Sequence, residues 1–362
     1  MSTLKLHVGV DMTGVYVTQA GIARYCRGLW RGLERAAPGD VTWTEISWPV
    51  ENFAYKQPQR AMKTAYRELI WGKFIAPGQI KRAGCDLLHS TSSLFIRVPR
   101  GVKHVVGLHD LSISRHPERF RPWQVKAWKR RLPVISKGDR VLTISRFTAD
   151  EAIRMLGLDA RKISVVHNGC EFHPDEISVR EQRPDFAVPD EFFLFVGSLE
   201  PGKNLVLLKQ AYLQAEREGK PVAPLLIVGA RWEGVASEGE HPRNWQYLGR
   251  QSDEVLVYLY RRALALLFPS IYEGFGLPIV EAMALGCPAV CSPVSSLPEV
   301  GGEGAYFVDM EPAKYLAAMR ELQSNPRLRE EWIARGRAWS SRFSWTRCAK
   351  ETLDVYRNVM RA

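Results

Sequence analysis

Apolar positions along the chain follow two alternating rhythms. Short runs at Leu6–Val10, Val41–Ile46, Asp86–His89, Val105–Leu108, Arg140–Ile144 and Ile163–Val166 are β-branched or apolar. That is the pattern of strands covered on both faces of a parallel sheet. Between them lies helical spacing: Ile22, Cys26, Leu29 and Leu33 recur on one face of a helix beginning near Ile22. Residues 171–191, with three prolines and many charges, break the alternation. It restarts with strand Phe192–Val196, a helix from about Asn204, and strands at Leu225–Val228 and Tyr247–Leu248. A helix over Asp253–Arg262, strand Leu264–Phe268 and a helix near Pro278 follow. Pro278 suits a first helical turn and Gly286 its C-terminal exit.

Two such arrays predict an α/β protein of two Rossmann-like domains facing across a deep cleft. The expected boundaries are 1–175 for the first domain, 176–190 for a linker and 191–345 for the second domain. A final helix over 346–362 is expected to return and brace the first.

Charge narrows the partners. Among 362 residues, 50 Lys and Arg stand against 39 Asp and Glu, a net charge of +11. The balance favours anionic partners, namely nucleotide phosphates or an acidic membrane surface. Nucleic acid is set aside, because no recognition module accompanies the charge. Six cysteines in a chain this long suggest reduced, cytosolic thiols. Cys287 and Cys291 lack the second pair or histidine cluster that zinc would need. The opening MSTLKLHVGVDMTG lacks a signal-peptide pattern, and no apolar run reaches the ~18 residues that span a bilayer. The expected location is cytoplasmic, with room for peripheral placement on the inner face of the membrane.

Two strings carry phosphate chemistry. The first, Phe195-Val-Gly-Ser-Leu-Glu-Pro-Gly-Lys-Asn204, sits between a strand and a helix and is one residue short of a P-loop. Asn204 replaces the Ser or Thr that would ligate Mg²⁺, so an NTPase is disfavoured. A lysine at a helix start is nevertheless well placed for a diphosphate. The second, Pro269-Ser-Ile-Tyr-Glu273-Gly-Phe-Gly-Leu-Pro-Ile-Val-Glu281-Ala-Met, brackets a glycine turn and a helix start with two glutamates. Glu273 could accept hydrogen bonds from sugar hydroxyls and Glu281 could hold a ribose diol, while the helix N-terminus favours phosphate. A nucleoside diphosphate joined to a sugar satisfies all three.

The stretch EGFGLPIVEAMALGCPAV resembles the signature of family 4 glycosyltransferases, a retaining group with the two-domain GT-B fold. GIARY at 21–25, GLHDLSISRHPE at 107–118, VVHNG at 165–169, VGSLEPGKN and SSLPEVGGEGA at 295–305 follow in the family's order. The HDLS and SSLPEV wording is most similar to the branch using GDP-mannose or a related GDP-sugar, with UDP-sugars as the alternative donor. The resemblance implies that Glu273 holds the donor sugar's hydroxyls, while Gly274, Phe275, Gly276 and Leu277 wrap sugar and diphosphate. It implies that Glu281 binds the ribose and that Lys203 neutralises the leaving diphosphate. It also implies that Gly21 lets its loop approach the phosphates and that His109 lies near the reacting bond. Catalytic roles thus fall on His109, Lys203 and Glu273. Relatives often carry an arginine where this chain has Ser198 or Gly202, which leaves a catalytically weak donor-binding protein as a second alternative.

No D-x-D pair occurs, so no metal and no cofactor are expected. Asp110, beside His109, is the nearest candidate for a double-displacement nucleophile. The expected acceptor is a glycan or glycolipid in bacterial polysaccharide or lipopolysaccharide synthesis. Between Tyr55 and Arg82, seven Lys and Arg (Lys56, Arg60, Lys63, Arg67, Lys73, Lys81, Arg82) face one acid, Glu68, with Tyr66, Trp71 and Phe74 interleaved. His116–Arg131 repeats the theme with Trp123, Trp128 and a cluster of Lys126, Lys129, Arg130 and Arg131. Basic helices with tryptophan suit an anionic membrane interface.

Overall fold

Twelve short strands form in the computed structural model, which describes residues 5–18, 21–51, 59–92, 94–175, 179–231 and 242–362. They make two six-stranded sheets, and every strand pair within them is parallel. The chain divides into two compact units, Met1–Gly169 with Ser344–Ala362, and Cys170–Phe343.

In the first unit the strands are β1 (Leu6–Asp11), β2 (Val41–Ile46), β3 (Leu87–Ser90), β4 (Lys103–Leu108), β5 (Arg140–Thr143) and β6 (Ile163–Val165). Their order is β2-β1-β3-β4-β5-β6. The chain reverses its direction of winding between β1 and β3, so the carboxyl ends of these strands open into a crevice. The Gly21–Ala36 helix buries the expected Cys26, Leu29 and Leu33. Against it packs the terminal Trp345–Arg361 helix, whose inward stripe includes Trp345, Cys348, Ala349, Leu353 and Tyr356. Each large side chain buried there contributes about 1.5–3 kcal/mol. Asp40 receives two 2.8 Å bonds from Arg357 at the far end of the same helix pair.

The second unit holds β7 (Phe193–Val196), β8 (Leu225–Val228), β9 (Trp245–Gly249), β10 (Leu266–Phe268), β11 (Ala289–Cys291) and β12 (Tyr306–Phe307), in the order β12-β11-β10-β7-β8-β9. This is the dinucleotide-fold order, with its reversal between β7 and β10. Strands β7, β8 and β10 are fully apolar and nearly all buried, as a sheet covered by helices requires. The stretch 176–190, expected as a linker, belongs to this unit where it is described. There Glu181 pairs with Arg261 at 3.1 Å and Arg262 at 2.6 Å on the Asp253–Arg262 helix.

Candidate active site

The two phosphate strings leave the carboxyl ends of β7 and β10, the neighbouring strands at the reversal point of the second sheet. After β7 the chain runs through Gly197 and Ser198 into a single 3₁₀ turn, Pro201–Lys203. Glu200 caps that turn by accepting the Gly202 N–H at 2.7 Å. Asn204 then takes a left-handed backbone, φ 56°, and starts the Leu205–Arg217 helix. The Ile271 N–H donates to the Gly202 carbonyl at 2.9 Å, tying the β10 loop to the β7 loop. Lys203 is thereby held beside Glu273: its ammonium donates to Glu273 Oε1 and lies 5.5 Å from the Phe268 ring centre. This is a charge-assisted pair with both side chains largely withdrawn from solvent.

Glu273 is fixed from behind. Its N–H donates to Ser295 Oγ at 2.9 Å, and the Ser296 hydroxyl donates to the Glu273 and Phe275 carbonyls at 3.0 Å each. The turn ends at Gly276, whose φ of 101° suits glycine, and the Leu277–Leu285 helix begins with Pro278 in its first turn and exits at left-handed Gly286. Gly274 and Phe275 are buried in that turn, and Phe275 packs edge-on against Phe343 at 5.7 Å. Leu277 opens the helix whose positive end points along the turn. Glu281 sits on the buried side of this helix, where it accepts a 3.3 Å hydrogen bond from Tyr260. Ser198, at the position where relatives carry arginine, is half-buried in the β7 loop.

The first unit gathers its polar groups at the carboxyl ends of β1, β3 and β4. Gly21 is the exposed first residue of the Gly21–Ala36 helix. His109 follows β4, and its Nε2–H donates to the Thr91 carbonyl at 2.6 Å. That bond fixes the tautomer, leaving Nδ1 as the lone-pair nitrogen. Burial pushes the imidazole below its usual range, so the ring is neutral at pH 7. Tyr25 stands edge-on to it at 4.7 Å, and Trp345 packs on Tyr25 at 6.2 Å. Thr91 also donates to the Asp11 carbonyl at 2.6 Å. Asp11 is fully buried, and burial raises its carboxyl to about 6 although Thr13 donates to it. Asp110 acts locally, because its Oδ1 accepts the Ser112 N–H at 2.8 Å and hydroxyl at 2.5 Å and so closes the turn into the next helix.

All six cysteines are buried, and none is in a disulfide. Burial lifts the Cys26 and Cys287 thiols to about 12, so neither is a thiolate at neutral pH. Among the described residues, no three His, Cys, Asp or Glu side chains converge closely enough to hold a metal ion.

Two family models cover most of the chain. "Glycosyltransferase Family 4" matches residues 20–172 and "Glycosyl transferases group 1" matches residues 178–339. The O-antigen chain mannosyltransferase B of Escherichia coli is 34% identical over 267 residues, covering 70% of each chain. The chain belongs to glycosyltransferase family 4. The serotype-specific mannosyltransferase WbdA of E. coli is 26% identical over 276 residues, which cover 72% of this family 4 chain but only 34% of that longer relative. A sucrose-phosphate synthase from Thermosynechococcus elongatus superposes with a TM-score of 0.74 at 18% identity, over 99% of this chain and 100% of that one. That likeness shows the fold, GT-B, with its two parallel α/β units. Membership of family 4, which rests on the family models and the 34% identical relative, makes the chain a transferase of sugars.

Sequence reasoning missed Ser295, Ser296, Tyr260, Thr91 and Tyr25, which position the named groups. Ser295 and Ser296 lie in the SSLPEVGG string, so the motif was a signal for their importance but not for their hydrogen bonds to the Glu273 turn.

Proposed function

We propose that this transferase moves mannose, with retention and without metal, from GDP-mannose to a lipid-carried glycan in bacterial surface-polysaccharide synthesis. The observation that carries this is the Lys203–Glu273 pair at the reversal point between β7 and β10. Before donor arrives, the two charges hold one another in place. With donor bound, Lys203 turns to the diphosphate and Glu273 accepts hydrogen bonds from sugar hydroxyls. The bond from the anomeric carbon to the diphosphate oxygen breaks, and its electron pair stays on that oxygen. The Lys203 charge and the positive end of the Leu277–Leu285 helix stabilise the negative charge developing there. The acceptor hydroxyl attacks from the face the diphosphate leaves and gives its proton to the departing oxygen, so configuration is retained. Neutral His109 serves the acceptor side as a hydrogen-bonding group rather than a charge. The mannosyl group is supported by the names of the two E. coli relatives, both mannosyltransferases, and the GDP carrier rests on the HDLS and SSLPEV wording alone.

A transfer assay tests it. Radiolabelled mannose from GDP-mannose should enter a lipid-linked oligosaccharide acceptor equally with or without excess chelator. Lys203→Met should cut kcat by about 10²–10³, the usual cost of removing one group aimed at developing charge. Incorporation from UDP-glucose but not GDP-mannose would overturn the donor assignment. Full dependence on added Mg²⁺ would overturn the metal-free mechanism.

A further inference from the structure

The SSLPEVGGEGA string serves the donor turn only through its first half. Ser295 and Ser296 hold the Glu273 turn, whereas Gly302–Gly304 form a separate 3₁₀ turn that leads into β12, the outermost strand of the second sheet. β12 lies two strands from β10. The turn stands at its amino end, opposite the end at which the donor loops leave the sheet. It floors a groove of about 660 Å³ between β12 and the Pro326–Ser340 helix. That volume is within the roughly 300–1,000 Å³ of small-molecule sites. The floor is bare enough for an aromatic ring to lie on it: Gly302 has φ 45°, and a Cβ there would run into the Trp339 indole.

Aromatic rings wall this groove, and charges line its rim. Tyr306 of β12 stacks on Trp332 at 5.1 Å, with the two planes 9° apart. Arg335 lies over the Trp332 ring, its Cζ 5.0 Å from the centre, and Arg342 lies over Trp339 at 3.6 Å. The Trp339 N–H donates to the Val300 carbonyl at 2.8 Å, which fixes that indole against the turn. The Trp332 N–H has no such partner among the described residues. Neither has the Arg335 guanidinium, and Glu303, exposed at the rim, makes no ion pair among them. Ala305 and Ala338 leave room between the rings. Sealing the sheet edge explains the Tyr306–Trp332 stack, which packs on the core of this unit. A seal needs neither a groove beside it nor unpaired donors and an acceptor along that groove.

We infer that this groove binds a neutral hexose chain at a site separate from the donor turn. A pyranose ring has an apolar C–H face and a rim of hydroxyls, each of which both donates and accepts. The aromatic walls give the first a flat apolar partner. Arg335 and the Trp332 N–H donate to the second, and Glu303 accepts from it. A phosphate site would be lined by donors alone, and the Glu303 charge would repel its occupant. The inference rests on the glycan acceptor proposed above only for its use: a chain held here stays with the enzyme between additions, because its end need not diffuse back from solution. Binding itself needs neither the donor nor the transfer step.

The test titrates a mannose tetrasaccharide, and separately a glucose tetrasaccharide, into the full chain and follows the indole N–H signals by NMR. Trp332→Phe and Trp339→Phe assign the two signals. In the wild type both should move and saturate with at least one of the sugars, and saturating GDP should leave the midpoint unchanged. Arg335→Met keeps a stem over Trp332 but removes the donors, and should weaken binding about tenfold, the usual cost of losing a charged hydrogen bond. Ala338→Phe fills the groove and should abolish binding. Residues 335 and 338 are exposed, so an unchanged circular dichroism melt certifies the fold. Nucleotide release from soluble donor should persist in both variants. No movement of either signal with either sugar overturns the inference, as does binding that Ala338→Phe leaves intact or that GDP competes away. So does a wild-type dimer that Ala338→Phe dissociates without any sugar binding, because the groove would then be a protein interface. If a tetrasaccharide binds as predicted but no nucleotide sugar is turned over, the groove stands and the mannosyl transfer proposed above falls.

Discussion

Gly28 sets how closely the terminal helix can approach the Gly21–Ala36 helix, and Gly28→Ala is the sharpest test of the first unit's packing. A Cβ at residue 28 would lie 2.1–2.5 Å from three ring atoms of Trp345. Ordinary carbon contacts sit near 3.5–4.0 Å, so the indole must retreat by more than an ångström. An exposed helical glycine replaced by alanine gains about 1 kcal/mol from propensity. Here overpacking costs about 1–3 kcal/mol. The displaced ring also presses on Tyr25, which packs on His109. The net expectation is a loss of up to about 2 kcal/mol, a fall in Tm of up to roughly 8 °C for a unit of this size. Turnover should fall as well at temperatures where the variant is fully folded. Gly32→Ala should be worse, because its Cβ would sit 2.2 Å from the backbone carbonyl oxygen of Trp345, and a helix cannot rotate away as a side chain can. The control is Gly78→Ala, in a helix with no atom within 4 Å of the new methyl, which should be neutral or stabilising by up to about 1 kcal/mol. Thermal melts and steady-state rates decide it. A Gly28→Ala protein that melts at or above wild type would refute the close helix contact.

The remaining predictions concern charge. Glu273→Gln keeps the shape but removes the partner that holds Lys203, so donor KM should rise and kcat should fall; unchanged kinetics would remove Glu273 from the site. Ser296→Ala removes the donor to the Glu273 and Phe275 carbonyls and should lower kcat/KM several-fold with little change in Tm, read by kinetics beside a melt. Asp11 is raised to about 6 in the folded protein, so the folded state holds its proton more readily than the unfolded chain. The Asp11 contribution is therefore full below the unfolded value near 4 and is lost as pH rises through 6, a swing of roughly 3 kcal/mol at most. Asp11→Asn should flatten that fall in denaturant titrations across pH 4–7. His89 and His104, lowered by burial to about 3 and about 4, give both proteins the opposite slope below pH 6.5, so the difference between them isolates Asp11.

Most of the parallel strands could be read from the chain because a strand buried on both faces has little room for polar residues: β7 and β8 are continuous apolar runs, and β1 and β4 are apolar along most of their length. Strands β11 and β12 could not. They hold three and two residues, too short for any period, and they exist because β10 offers an edge to extend. The Leu277–Leu285 helix was legible from its punctuation, Pro278 and Gly286. The π-helix over Arg67–Ile75 was not, since its apolar residues Leu69, Ile70 and Phe74 point outward and its register departs from the 3.6 period that marks a helix. In the site, the residues that bear charge stood out in their motifs. Their supports did not, because Ser296 reaches Glu273 from a loop more than twenty residues on, and Thr91 fixes His109 through a backbone carbonyl that any residue type supplies. The same limit explains Arg131: composition counts it as surface charge, and only the fold shows it bonded to Glu68. Tyr55 and Lys56, at the head of the other basic stretch, lie outside the described residues.

Nucleotide release from a panel of GDP-sugars, UDP-sugars and ATP, each with excess chelator or with Mg²⁺, tests the central claim most directly. Slow release of GDP from GDP-mannose should proceed equally under both conditions and vanish in Lys203→Met. Release from ATP alone and only with Mg²⁺, or GDP-mannose turnover that Lys203→Met leaves intact, would contradict the assignment of the β7–β10 site as the donor site.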